Sequence, residues 1–255
     1  MQTQLINRIV NEEQRLQIDI TADGDTRIGY LTPITRSSLE NLDLITKMTA
    51  WRNRMRSCFL TQAEVTPETT KAFLAGTVLS DPTRMLFIVY SLTQPVGTIG
   101  LKVGAPWVHG AGPREAEQAG RKLAELANLL RGSRDGHPKL MYQGEMALME
   151  WAFRELDIDV FWTAVPSNNR LALTLHQSGG FRPTALIPLL KVEINGQTKL
   201  VPGEAGQTSP DGVYAQRIEL ERADFMSRRE SLIVKSSYGI SRRSVCEPSN
   251  PELAV

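Results

Sequence analysis

Between Arg131 and Lys139 the sequence reads RGSRDGHPK, which sets Arg131, Arg134, His137 and Lys139 among Gly132, Gly136 and Pro138. Glycine lets the backbone turn tightly, and cationic side chains around such a turn make a place for anions. A helix is expected to start just beyond it, so unpaired backbone N–H groups face the same loop. The spacing is neither a Walker loop with its closing Gly-Lys-Ser/Thr nor the G-x-G-x-x-G of a dinucleotide turn, which sets kinase and dehydrogenase chemistry aside. Metal chemistry lacks its residues too. Cys58 and Cys246 are far apart and show no CxxC spacing, and the carboxylates of Glu115-Ala116-Glu117 and Glu221-Arg222-Ala223-Asp224 have no histidine at ligand spacing.

The elements that must position this loop are legible around it. Leu126 to Leu130, apolar apart from Asn128, reads as a buried strand. From Met141 to Leu156, the residues Gly144, Ala147, Leu148, Trp151 and Ala152 recur at the spacing of one helical face. Val160 to Val165 is β-branched and aromatic, and its position directly after that helix predicts a parallel crossover. Pro166 and Ser167 end the strand, Asn168 or Asn169 caps a helix from Arg170 to Ser178, and Gly179-Gly180 stops it. The order is βαβα.

On either side the pattern predicts antiparallel strands and short helices. Asp23-Gly24-Asp25 turns a leading hairpin between Leu16–Ile20 and Ile28–Leu31, and Ser37-Ser38 opens a helix that runs into Trp51-Arg52-Asn53. Thr66-Pro67-Glu68 starts a helix reaching about Leu79, and Met85–Tyr90 and Val96–Val103 form a second hairpin. Residues 104–120, rich in glycine and proline, predict a long loop beside a cleft, with Trp107 a candidate wall for an acceptor. Ile187–Ile194 and Gln197–Val201 flank Asn195-Gly196, a strong hairpin signal. Val213–Leu220 adds a strand, residues 223–230 a short helix, and residues 231–255 read as an arm.

In the closing segment NNRLALTLHQSGGF, the residues Asn169, Ala172, His176, Gly180 and Phe181 stand in the register of the GNAT superfamily of N-acetyltransferases, which this chain resembles. WRNRMRSCF at Trp51–Phe59 and PVGTIGL at Pro95–Leu101 resemble its ribosomal-protein and amino-sugar branch. The resemblance spans about Tyr30 to Phe181. It implies an α/β (α+β) fold in which a mixed central sheet is flanked by helices, with two parallel strands splayed at a cofactor cleft. It divides the chain into an extension at 1–29, an acetyltransferase-like domain at 30–222 that includes the C-terminal strands, and a C-terminal helix and arm at 223–255.

The same resemblance implies acetyl-CoA as cofactor. Its pantetheine arm would lie along Leu129, Leu130 and Arg131, and its phosphates on Gly132, Ser133, Arg134, Gly136 and Lys139, with Asn169 beside them. In the family the loop signature runs Arg/Gln-x-x-Gly-x-Gly/Ala straight into the helix, whereas here Lys139-Leu140-Met141 fill that last turn, so the phosphate grip differs in detail. Glu125 matches family glutamates that take the amine's proton. His176 stands where a tyrosine usually protonates the leaving thiolate, a proton transfer that an imidazole can make to a thiol of ordinary pKa about 8.5. On the acceptor side, Arg52, Asn53, Trp107 and Asn128 are the candidates, although Arg52 and Asn53 read rather as a bridge from their helix to the sheet, and Asn128 reads either as a polar residue of the cleft or as an amide beside the ladder. Trp51, Trp151 and Trp162 read as core.

The chain has 255 residues, 41% of them hydrophobic, and a formal net charge of +1, an ordinary globular composition. It offers no electrostatic case for nucleic acid or membrane surfaces and no apolar run of spanning length, and the cysteine usage fits the cytoplasm. Within these bounds the resemblance implies a monomeric or homodimeric acetyltransferase without a metal, acting on a small-molecule primary amine. That amine would be an amino sugar, including a nucleotide-linked one, or else a protein N-terminus or another small amine. A non-catalytic acyl-CoA-binding module is the reading from another class.

Overall fold

The computed structural model describes residues 2–22, 26–104, 120–194, 197–204 and 206–229. Trp107, the loop around it and the C-terminal arm lie outside them. Among the described residues, nine strands form the sheet: β1 (Ile18–Ala22), β2 (Thr26–Pro33), β3 (Arg84–Ser91), β4 (Pro95–Val103), β5 (Leu123–Arg131), β6 (Val160–Pro166), β7 (Arg182–Ile194), β8 (Gln197–Pro202) and β9 (Tyr214–Glu221). Their spatial order is β1-β2-β3-β4-β5-β6-β9-β7-β8, so the last strand inserts between two earlier ones. Every neighbouring pair is antiparallel except β5 and β6.

The helices are α1 (Gln2–Val10), α2 (Leu42–Arg54), α3 (Pro67–Phe73), α4 (Leu140–Glu155), α5 (Arg170–Ser178) and α6 (residues 222–229). Among the described residues, no helix is long and apolar enough to cross a membrane. The leading hairpin is present, and it is preceded by a helix, α1, that the sequence pattern did not predict and that buries Ile6, Ile9 and Val10 against the core. Asn41 caps α2 by accepting from the Leu44 N–H at 3.0 Å, in place of the expected Ser37-Ser38, which form a 3-10 turn. Thr66 and Thr69 close a capping box on α3. That helix ends early, continuing as a π-helical turn, Leu74–Val78, in which the Leu79 N–H reaches back to the Leu74 carbonyl at 2.9 Å.

α4 lies across β1 and β2, and a side chain at Gly144 would stand 3.2 Å from Ile20 and 3.5 Å from Ile99, so glycine sets the close approach of helix to sheet. Trp151 and Phe153 of α4 meet Phe87 and Phe161 edge-on. Strand alternation places Lys102, Glu125, Trp162 and Glu219 together on the opposite face. On that side the segment after α2 joins the far end of the sheet. Thr61 bridges Lys199, the Leu200 N–H donates to the Leu60 carbonyl at 2.7 Å, and Leu60 packs with Ile187, Leu189 and Ala215.

Candidate active site

The parallel strands β5 and β6 pair at Leu123–Val160, Ala124–Phe161 and Glu125–Trp162, and there the pairing stops. A bulge in β5 is the local cause. Between Thr98–Leu130 and Gly100–Ala127, two residues of β5, Asn128 and Leu129, oppose Ile99 alone. Asn128 takes φ +52°, a left-handed conformation that asparagine accepts more readily than most residues, and its carbonyl accepts from Thr98 Oγ1 at 2.8 Å. Gly100 makes room, since a Cβ there would sit 2.9 Å from the Ala127 carbonyl. Past the bulge, residues 127–130 are not paired with β6.

The loop that follows is braced from within. The N–H groups of Gly132 and Ser133 both donate to the Val96 carbonyl, at 2.7 and 2.9 Å. The Arg131 guanidinium donates to the carbonyls of Ser133 at 3.0 Å, Pro138 at 3.1 Å and Arg134 at 3.2 Å. Sequence charge alone suggested a phosphate ligand; the hydrogen bonds make Arg131 the internal strut of the loop. Arg134 and Lys139 are its exposed cations. Gly136 has φ +79°, a turn that suits glycine, and a side chain there would meet Ser91. At the start of α4 the Leu140 N–H donates to the His137 carbonyl at 3.0 Å and the Gln143 N–H to the Lys139 carbonyl at 2.8 Å, so the intervening first-turn amides, Met141 and Tyr142, have no intrahelical acceptor.

α2 holds this loop from the side. The Trp51 ring lies where a Cβ of residue 132 would be, and Arg54 donates to the Gly132 carbonyl. Arg52 and Asn53 hold a different segment. Arg52 donates to the Thr61 carbonyl and stacks on Phe59 at 3.7 Å, with burial lowering its pKa. Asn53 Nδ2 donates to the Val65 carbonyl at 2.8 Å and its Oδ1 accepts from the Val65 N–H at 2.9 Å. Both therefore shape residues 59–65, the segment that joins the far end of the sheet. Asn53→Ala is expected to cost about 1–3 kcal/mol, because it strands two backbone groups, and to open residues 59–66 to proteolysis; denaturant melts and limited digestion measure both.

Across the face opposite α4, the cross-strand row is Lys102, Glu125, Trp162 and Glu219. Burial raises the pKa of the Glu125 carboxyl, opposed by the charges of Arg84, Lys102 and Arg217. Arg217, 3% exposed, lies over the Trp162 ring at 4.7 Å and donates through Nε to Glu219 at 2.8 Å. The indole Nε1 of Trp162 is buried without a hydrogen-bond partner.

Asn169 caps α5 by accepting from the Ala172 N–H at 3.3 Å. Because α5 follows the C-terminal end of β6, its first turn sits at the open end of the splay, as do the 131–139 loop and the start of α4. His176 is 3% exposed, 5.3 Å from the Phe181 ring, with Nδ1 2.7 Å from Glu145 Oε1 of α4.

Thus Leu129 and Leu130 lie near the end of β5, Gly132, Ser133, Arg134, Gly136 and Lys139 in the loop that follows it, Asn169 after the same end of the parallel strand β6, and Glu125 earlier on β5. Sequence reasoning missed Arg54, Glu145, Arg217 and Glu219. Glu145 had a signal, a carboxylate beside Gly144 on the apolar stripe of its helix. Arg217 and Glu219 had a weaker one, charges alternating along a strand.

No family model matches the sequence, and no curated protein matches it. Solved structures do match the fold. RimL, a ribosomal-protein alpha-N-acetyltransferase in complex with coenzyme A, aligns with TM-score 0.52 at 14% identity over 81% of this chain and 98% of its own. FdhC, a nucleotide-linked sugar GNAT without ligand, aligns with TM-score 0.54 at 10% identity over 86% and 98%. An aminoglycoside acetyltransferase in complex with coenzyme A aligns with TM-score 0.54 at 17% identity over 78% and 98%. At these identities the likeness is one of fold.

Proposed function

We propose that this chain, which has the fold of the GNAT N-acetyltransferases, transfers an acetyl group from acetyl-CoA to a primary amine by direct attack in a ternary complex. The observation that carries the reading is the parting of β5 from β6 at a bulge, with a braced, cation-bearing loop and two helix starts at its open end. The free edge of Leu129 and Leu130 suits the amides of a pantetheine arm, and the loop with Arg134, Lys139 and the first amides of α4 suits a pyrophosphate. Bound there, acetyl-CoA supplies the thioester carbonyl.

Glu125 takes the proton that the amine loses as its nitrogen bonds to that carbonyl, and burial favours the protonated carboxyl that results. His176 supplies the proton that the sulfur gains as the carbon–sulfur bond breaks. The Glu125 carboxyl, next to Trp162 in the cross-strand row, suits a primary amine that must lose a proton, and within that class we infer an amino sugar, free or nucleotide-linked. A protein N-terminus or another small amine is the runner-up.

The test is calorimetric titration of acetyl-CoA, followed by thiol release across amine classes. Arg134→Ala is expected to weaken binding about tenfold, the worth of one charge-assisted hydrogen bond, and Arg131→Ala to weaken it further by collapsing the loop. Failure to bind acetyl-CoA, CoA or longer acyl-CoAs removes the function. Binding without turnover on any amine identifies an acyl-CoA-binding module instead.

A further inference from the structure

We propose that Glu145 is a positioning residue, which with His176 forms a buried dyad that prepares the imidazole to protonate the leaving sulfur. The inference rests on the acetyltransferase reading. Glu145 is 1% exposed, its Oε1 is 2.7 Å from His176 Nδ1, and its Oε2 has no partner. Leu148, Met149 and Met146 are its buried neighbours in α4, and an apolar residue in its place would join α4 to α5 without the desolvation that a half-satisfied carboxylate incurs. The arrangement calls for a chemical reason.

An ionised carboxylate only accepts hydrogen bonds, so Nδ1 must carry a hydrogen and donate it to Glu145. A proton that leaves the ring then leaves from Nε2. In the working state the pair is carboxylate and imidazolium; Nε2–H passes its proton to the thiolate, and a neutral imidazole remains, still held through Nδ1. Solvent restores the proton. Asn169, Ala172 and His176, three and four residues apart, share the inward side of α5, the helix that starts at the open end of the splay.

The other groups facing the pair are few. From α4 there is Tyr142, whose hydroxyl donates to the Ser178 carbonyl at 3.5 Å. Burial first, and then the charge of Glu145, raise its pKa, opposed by Arg228 and Lys139, so it stays neutral through the working range. From α6 there is Arg228, whose side chain lies against Gly180. Phe181 contributes only its ring edge.

The test compares wild type, Glu145→Gln and Glu145→Asp, using acetyl-CoA and the fastest of three acceptors: glucosamine, spermidine and an alanyl peptide. Glu145→Gln keeps the shape and the hydrogen bond but removes the charge. It is expected to lower kcat about tenfold and to leave the acetyl-CoA KM within about twofold, because an amide can accept from Nδ1 or donate to it and so no longer fixes which ring nitrogen carries the hydrogen. Glu145→Asp recovers part of the loss. Independently of turnover, nitrogen NMR of wild-type His176 should show Nδ1 protonated and Nε2 bare at high pH, with a mixture of tautomers in Glu145→Gln. A kcat common to wild type and Glu145→Gln, or a wild-type ring protonated on Nε2 alone, overturns the dyad and leaves the acetyltransferase reading standing. Absence of acetyl-CoA binding or of turnover in wild type removes that reading, and the dyad with it.

Discussion

Gly132→Ala is expected to weaken acetyl-CoA binding about a hundredfold, the scale on which a displacement of about 1 Å is felt at an active site, and to cost about 1–3 kcal/mol of stability. The added methyl carbon would sit 2.0, 2.2 and 2.4 Å from three atoms of the Trp51 ring, distances at which something must move. Trp51 is buried and cannot swing into solvent, so the loop itself must lift, taking with it the Gly132 and Ser133 bonds to Val96 and the carbonyls that Arg131 holds together. Calorimetry and denaturant melts read the two effects. The decisive comparison is a double-mutant cycle with Trp51→Leu: once the ring is gone, alanine at 132 should cost much less than in wild type, giving a large favourable coupling. Additive costs would mean that the contact does not set the loop.

The second large effect is expected at Glu125. If its carboxylate accepts the amine's proton, Glu125→Gln should lower kcat/KM by about 10²–10³-fold. Burial raises its pKa above the ordinary carboxylate value, so the carboxyl ionises late, and the acid limb of the wild-type rate profile should lie correspondingly high. Stability runs the other way. The folded state binds this proton more tightly than the unfolded chain does, so the group's stabilising contribution is complete below the unfolded pKa and is lost as pH rises through the folded one. Above that window the ionised, buried carboxylate weighs against the fold, moderated by Arg84, Lys102 and Arg217. Glutamine has nothing to ionise. The variant should therefore be much less active yet no less stable at neutral pH, and melting temperatures across pH should rise relative to wild type on the alkaline side. Activity within twofold of wild type would remove Glu125 from the chemistry.

What could be read in advance depended on how local the cause was. The hairpin strands β3–β4 and β7–β8, the Asn169 cap and the α4 stripe each arise from neighbours in sequence, and they stand close to where the residues placed them. The insertion of β9 between β6 and β7 depends on pairings between distant segments, to which no turn residue points. The Asn128 bulge lay hidden because one asparagine in an apolar run reads equally as a polar side chain in a cleft. Its conformation comes from the opposing Gly100 and Thr98. Arg131 taught the converse. A guanidinium among glycines looks available for an anion, but the backbone carbonyls that claim it become apparent only when the loop closes. Tyr90 stacks on Tyr30 at 4.9 Å, another contact between strands that no spacing rule announces.

Four consecutive side chains of α2 have a mechanical consequence. A helix advances about 100° per residue, so Trp51 and Arg54, three apart, point to nearly the same side, while Arg52 and Asn53 fan out around the rest of the circle. The first two grip the loop at Gly132, and the other two grip the segment from Thr61 to Val65. One turn of helix thus acts as an axle with a wheel at each side: a few degrees of rotation cannot slacken the hold on one wall without dragging the other. The wall that would receive the donor and the wall that would face the acceptor are geared together, and an insertion of one residue between Trp51 and Arg54 would strip the gear.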